Sequence, residues 1–347
     1  MVTLPELSQD AAQLQQRIDR FHAVRDGILA QVRQVIVGQD DVLDQILIAL
    51  FVGGHCLITG LPGTAKTLMV RTIAETLGLT FRRIQFTPDL MPSDITGTDI
   101  IEEDLTTGHR KWTFVQGPIF GNVVLADEIN RTPPKTQAAL LEAMQERSCT
   151  VRGHVYQLPA PFFVLATQNP IELEGTYALP EAQLDRFLFN TILDYLSASD
   201  ELKVVDLTTT THVAKIEAVT TAQELLGFQQ LVRMVPIGEP VAQYVVNLVR
   251  ATRYKNQSAP DFVKKYVNYG GSIRAAQFIV LAAKARALAR RRYHVTYDDV
   301  TSLAIPVLRH RILLNFHAES ERIDADEILR RLIEHMPPPK EASGQPR

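Results

Sequence analysis

Cysteine is scarce in this chain. The two cysteines in 347 residues, Cys56 and Cys149, lie far apart with no metal-ligand spacing around them. Both are read as reduced thiols, as expected in a cytosolic protein. Neither sign of charge is in excess: a net charge of −3 leaves no global footprint for nucleic acid or an anionic membrane. Long apolar runs are missing, since ILIALFVGG from Ile46 stops well short of the roughly 20 residues that span a bilayer. The N-terminal stretch MVTLPELSQDAAQ has no basic region followed by an apolar one, so no signal peptide is expected. Solenoid repeats, a helix-turn-helix, a zinc module and an aromatic-plus-basic platform are all lacking. What is present is ordinary: 46% hydrophobic and 22% charged residues, enough for a larger and a smaller globular domain. A soluble, cytoplasmic protein is the expectation.

Along the chain, Leu14, Ile18, Phe21, Val24, Ile28 and Val32 recur at helical spacing within residues 10–34. A second helical run, DDVLDQILIALFVGG, ends on the pair Gly53–Gly54. HCLITG reads as a short buried strand entering GLPGTAKT, followed by the helix LMVRTIAETLG and a strand at TFRRIQF. Residues 87–117 are turn-rich and suggest a loop plus a short hairpin. GNVVLADE is a buried strand ending in two acids. TPPKTQAALLEAMQER is a helix with Thr132 as N-cap and Pro133 in its first turn. CTVRGHVYQL reads as another hairpin, PFFVLATQNP as a strand, LPEAQLDRF as a short helix and FLFNTILDY as the last strand. From about residue 197 the pattern is helical, with no further strand, and PPPKEASGQPR is expected to be disordered. Strand–helix alternation followed by a helical block gives an α/β nucleotide domain over residues 1–196, a helical domain over 197–336 and a tail over 337–347.

The chemistry is concentrated in GLPGTAKT, residues 60–67, which is nearly the phosphate loop G-x-x-x-x-G-K-[ST] with Ala65 in place of the last glycine. Gly60 and Gly63 occupy the turn, where positive φ and close backbone approach are needed. Position 65 begins the helix, where a negative φ is expected to suit alanine as well as glycine. Lys66 is placed to reach the β- and γ-phosphates and Thr67 to ligate Mg²⁺. In VVLADEINR, one carboxylate suits a hydrated Mg²⁺ and the next an attacking water. Asn169 follows the strand FFVLAT, where an amide suits a γ-phosphate or water, although an Asn-Pro turn explains the pair as well. Arg186 closes LPEAQLDRF and Arg274 lies in GGSIRAAQ; each suits charge developing on a transferred phosphoryl group, although a solvated side chain is the simpler reading of either taken singly.

Together GLPGTAKT, VVLADEINR, ATQNP, LPEAQLDRF and GSIRAAQ resemble the AAA+ ATPases, and more narrowly the MoxR family, whose loops commonly carry alanine at the position of Ala65. The similarity covers most of residues 20–335. The resemblance implies a three-layer αβα core with a parallel sheet of strand order 5-1-4-3-2, an all-helical lid domain and a homo-oligomeric, hexameric ring. Carried over by position, the loop Gly60, Pro62, Gly63, Thr64, Ala65, Lys66, Thr67 and Leu68 holds the nucleotide. Thr67 and Asp127 hold the metal, and Glu128 is the catalytic acid of the same strand. Asn169 matches sensor 1, Arg274 sensor 2, and Arg186 the arginine finger acting on a neighbour's nucleotide, with Arg131, Arg147 and Arg152 as nearby alternatives. Val37, Gly38 and Gln39 match the segment bordering the adenine. The stretches 94–114 and 148–158 match insertions that face the ring pore in relatives; they carry His109, Arg110, Lys111, Trp112, Arg152 and His154.

The function implied is a Mg-dependent ATP-hydrolysing remodelling motor or chaperone that matures client complexes with a partner carrying a von Willebrand A domain. An ATPase subunit of a metal chelatase and a nucleic-acid motor are the alternatives. The basic run ALARRRYHV at 287–295 is the one feature pointing to nucleic acid, and a solvated helix face is its simpler explanation.

Overall fold

The computed structural model describes residues 4–103, 110–170, 175–210 and 214–339. The expected disordered tail falls, from residue 340 on, outside the described residues. The chain packs as two compact units, residues 1–231 and 232–347.

The first unit opens with α1 (Leu4–Val32) and α2 (Asp40–Val52). The periodic residues Ile18, Phe21, Val24, Ile28 and Val32 are buried. Phe21 meets Phe51 of α2 at 4.6 Å and Phe228 at 5.4 Å between ring centroids. Burying one such ring stabilises by about 1.5–3 kcal/mol, so this contact fixes α1 against the domain. Gly53, at φ 75°, stops α2 in the left-handed conformation expected of a glycine C-cap.

Next come β1 (His55–Gly60), α3 (Lys66–Thr76), β2 (Phe81–Gln85), α4 (Pro92–Thr96), β3 (Gly97–Glu103), β4 (Arg110–Gln116) and β5 (Val123–Asp127). A 3₁₀ turn (Ile129–Arg131) leads into α5 (Pro134–Glu146), β6 (Ser148–Val151), β7 (His154–Gln157) and β8 (Phe163–Gln168). The first unit closes with α6 (Glu181–Leu184), β9 (Phe187–Leu193), α7 (Ala198–Thr208) and most of α8 (Ala222–Met234). Five strands form one sheet in the order β2-β5-β8-β1-β9, with every pairing parallel. Counting only those strands along the chain, this is the expected 5-1-4-3-2.

A parallel sheet is covered on both faces, which is why VVLAD is apolar without alternation and buried throughout. Val124, Ala126 and Val164 pack with Leu140, Leu141 and Met144 of α5, while α2 and α3 also lie against the strands. The C-terminal ends of β1, β5 and β8 therefore open on one edge, where parallel sheets place their ligands. Beside the sheet, β3–β4 and β6–β7 are antiparallel hairpins, as the turn-rich segments suggest. Arg152 and Gly153 at the β6–β7 tip have φ of 47° and 83°, the paired positive angles of a tight hairpin turn.

Two local expectations fail. Thr132 is not the N-cap of α5; Pro133 holds that place, and Thr132 instead donates its hydroxyl to the Thr87 carbonyl at 2.8 Å. The 3₁₀ turn uses Thr132 as its own extended exit, so the helix starts one residue later. The helical block also contains strand: β10 (Val267–Tyr269) pairs antiparallel with β11 (Leu313–Leu314). These segments are too short for any alternation to be visible in sequence.

The second unit is otherwise helical, with α9 (Glu239–Ala251), α10 (Asp261–Tyr266), α11 (Ile273–Ala289), α12 (Tyr297–Leu308), α13 (Phe316–Ser320) and α14 (Ala325–His335). Asp299, fully buried in α12, receives Arg286 at 2.8 Å and Arg292 at 2.5 Å. Part of the basic run thus neutralises an interior carboxylate. Among the described residues, no helix is long and apolar enough to cross a membrane.

Candidate functional site

The end of β1 runs into the loop 60–67, and the loop's backbone is shaped by sterics. A methyl on Gly60 would lie 2.6 Å from the Leu193 carbonyl oxygen of the neighbouring strand, so only glycine fits. Gly63 has φ 81°, with open space where a side chain would project. A side chain there would be strained by the positive φ and not by any neighbour.

Ala65 overturns the expected negative φ. It stands at φ 59°, ψ 24°, in the left-handed region, immediately before α3. Its carbonyl accepts the Met69 N–H at 2.9 Å, so this residue launches the helix from a strained conformation. The methyl group is tolerated sterically, but at a conformational cost of about 1–2 kcal/mol.

Lys66 turns its ammonium back onto the loop, donating to the carbonyls of Gly60 at 2.8 Å and Leu61 at 2.6 Å. Burial lowers its pKa from the ordinary lysine value, against the opposing pull of Asp127 and Glu128. Thr64 donates to the Leu61 carbonyl at 2.9 Å and closes the same turn.

β5 delivers Asp127, which is buried, and Glu128, which sits at φ 57°. The Thr167 hydroxyl on β8 donates to Asp127 Oδ1 at 2.6 Å and accepts the Glu128 N–H at 2.8 Å, fixing both acids with one side chain. On the opposite flank, β2 contributes two residues that the sequence reading does not single out. Arg83 donates to Asp127 Oδ2 from Nη2 at 2.6 Å and Nε at 3.1 Å, and Gln85 donates to Glu128 Oε2 at 2.9 Å. Arg83 Nη2 also reaches Gln85 Oε1 at 2.6 Å, joining the two grips. The parallel register places Gln85 opposite Asp127 and Arg83 two residues back on the same face. Arg131, one turn beyond, pairs with Glu128 at 3.1 Å.

These groups share a single cavity of about 480 Å³ lined by residues 62–68, Arg83, Asp127, Glu128, Thr167, Gln168 and Asn169. The structure thus brings the loop, both acids and Asn169 together. The groups present suit a polyphosphate and a hard divalent cation: a loop that enters a helix, one ammonium, the Thr67 hydroxyl and the Asp127 carboxylate.

Other expected site residues are not among those that line this cavity. Gly38 and Gln39 have φ of 67° and 60°, and Gln39 donates from Nε2 to the Asp194 carbonyl at 2.9 Å beyond the end of β9. Val37 precedes them in the same loop. Arg186 lies outside the cavity: it donates to the Leu141 carbonyl and lines a separate hollow of about 240 Å³ with Glu142, Gln183 and neighbouring residues of α5. Its three alternatives all have partners in the first unit. Arg131 holds Glu128, Arg147 donates to the carbonyls of Gly53 and Phe162, and Arg152 stacks over Trp112 at 4.4 Å. Arg274 belongs to the second unit, in the first turn of α11, where its N–H is capped by Ser272.

Of the hairpin residues, Trp112 is half exposed, and Phe114 stacks on Tyr156 at 4.0 Å. The two hairpins are therefore packed on each other. Arg110, Lys111 and His154 are exposed, and His109 lies outside the described residues.

Comparison with known proteins agrees with this geometry. Residues 55–189 match the family described as ATPase family associated with various cellular activities (AAA), and residues 261–332 match the AAA lid domain. The chain is 42% identical to the protein YeaC of Bacillus subtilis, across 93% of this chain and 98% of that one. It is 42% identical to the chaperone MoxR1 of Mycobacterium tuberculosis, across 88% of this chain and 79% of the relative, and 30% identical to the protein MoxR of Paracoccus denitrificans. A solved structure of a candidate ATPase from Cytophaga hutchinsonii superposes with a TM-score of 0.87 at 39% identity, covering 94% of this chain and 98% of that one.

Proposed function

From the premise that this chain belongs to the MoxR family of AAA+ ATPases, we propose that it binds ATP with Mg²⁺ at the 60–67 loop and hydrolyses it to remodel a client protein complex. The observation that carries this reading is the one cavity that holds the loop, Asp127, Glu128 and Asn169. Backbone amides of residues 62–66 would cradle the phosphates, drawing Lys66 off the Gly60 and Leu61 carbonyls onto the β- and γ-phosphates. Thr67 and Asp127 would hold the Mg²⁺, whose chemistry when bound is to neutralise charge on the phosphate oxygens.

Glu128 would orient and deprotonate the attacking water, with Asn169 holding that water against the γ-phosphate. For this Glu128 must leave Gln85 and Arg131, which grip it in this structure. Val37, Gly38 and Gln39 would border the adenine. Arg274 would contact the nucleotide from the helical lid. Arg186, outside its own chain's cavity, would complete the site of a neighbour in a hexameric ring. A partner with a von Willebrand A domain and a client to mature follow from the family's habits.

The test is steady-state ATPase activity against protein concentration with Mg²⁺, for wild type, Glu128→Gln and Arg186→Ala. Specific activity is expected to rise with concentration. Glu128→Gln should bind nucleotide with turnover reduced at least about 10²-fold, and Arg186→Ala should bind normally and lose about 10³-fold. Activity independent of concentration, or Arg186→Ala turning over like wild type, would overturn the shared-site reading.

A further inference from the structure

Both carboxylate oxygens of Asp127 have hydrogen-bond donors within the protein. Its carboxylate is buried, yet Oδ1 accepts from Thr167 and Oδ2 accepts twice from one guanidinium, that of Arg83. An ionised carboxylate offers about four acceptor positions, so three are taken. Arg83 itself is half exposed, on a side chain long enough to swing towards solvent. The cation next in reach, Lys66, is engaged by the carbonyls of its own loop. Arg83 is therefore the guanidinium that faces the buried Asp127 carboxylate.

We propose that Arg83 is the resting counter-ion of the proposed metal ligand: it occupies Asp127 Oδ2 until a divalent cation takes its place, so the metal enters by exchange rather than into an open seat. This rests on the nucleotide-binding reading above. It gives Arg83 a positioning role distinct from that of Gln85, which grips Glu128 and leaves Asp127 untouched. The exchange has a physical consequence. A cation that binds at Oδ2 would break two charge-assisted hydrogen bonds before making its own contacts, which raises the Mg²⁺ concentration needed to tighten nucleotide binding. The freed guanidinium remains in the wall of the same cavity.

The experiment is a Mg²⁺ titration of fluorescent-ADP binding, with ADP chosen so that hydrolysis plays no part. Wild type, Arg83→Ala and Arg83→Lys are compared, and folding of each is checked by its unfolding temperature. In Arg83→Ala the Mg²⁺ midpoint is expected to fall about three- to tenfold. Arg83→Lys keeps the charge but not the two-pronged grip, and its midpoint should fall as well, by less. An unchanged midpoint in Arg83→Ala overturns the exchange. A fall in Arg83→Ala with a wild-type midpoint in Arg83→Lys also overturns it, since repulsion by a diffuse positive field would then suffice. If the wild type binds no ADP, the nucleotide reading fails first and this inference with it; if it binds ADP equally with and without Mg²⁺, the exchange alone is overturned.

Discussion

Replacing Ala65 by glycine removes one methyl group and is expected to make the nucleotide-free protein more stable. Ala65 sits at φ 59°, ψ 24°, a conformation that costs an L-residue about 1–2 kcal/mol and glycine nothing. Against this, glycine has more freedom to lose on folding, a penalty of about 0.4–1 kcal/mol. The net gain is about 0.5–1 kcal/mol, or about 1–4 °C in the unfolding temperature of a unit of this size. Thermal unfolding of Ala65→Gly beside wild type, without nucleotide and at equal protein concentration, measures it directly. The opposite sign is equally informative. If residue 65 were the ordinary negative-φ start of a helix, Ala65→Gly would cost up to about 1 kcal/mol through helix propensity alone. A lower unfolding temperature would therefore refute the strained loop and restore the conformation that the sequence suggests. Gly63→Ala is the matching control. It introduces the same penalty at φ 81° with no steric neighbour and the same opposing entropy gain, so it should destabilise by a similar net of about 0.5–1 kcal/mol while weakening nucleotide binding far more than Ala65→Gly does.

Gln85→Ala deletes one of the two side chains that grip Glu128 in the resting state. Basal turnover is expected to rise about two- to fivefold, the worth of one hydrogen bond, with nucleotide affinity unchanged; a fall in turnover would instead make Gln85 part of the productive arrangement. His55 predicts the acid limb of stability. It is fully buried on β1, accepts the Val164 N–H at 3.0 Å, and is held neutral, its pKa lowered to about 3 first by burial and then by Arg147. The unfolded chain takes up a proton near pH 6.5 that the folded protein refuses, so this contribution is complete above pH 6.5 and drains away as pH falls towards 3. About 2 kcal/mol of it is gone at pH 5. Urea unfolding at pH 7 and pH 5 should show that difference in wild type and lose it in His55→Gln; an equal pH dependence in both proteins would clear His55.

What could be read from the sequence was chemistry that stands in chain order. GLPGTAKT after HCLITG and the acids after VVLA each announce a strand, its end and a functional group in one stretch. Asn169 follows by the same logic at the end of the next sheet strand. Parallel topology then does the assembling, because it turns the C-terminal ends of β1, β5 and β8 to one edge. What stayed hidden depends on register and on tertiary constraint. Arg83 and Gln85 look, in TFRRIQF, like the solvated face of an edge strand, and on exposure alone they are just that. Only the pairing of Gln85 with Asp127 turns that polar face into the flank of the site. Two polar residues spaced by two on a strand, in a domain whose acids end another strand, were the available signal; without register they had no partner. Ala65 failed for the complementary reason. Its local context is a helix start, where alanine prefers negative φ, but a loop that must face several N–H groups inward sets the angle instead. Arg83 and Ala65 both lie in the wall of the same cavity. Local rules break where a structure is shaped around something it binds, and here they break around the space a triphosphate and its cation would fill.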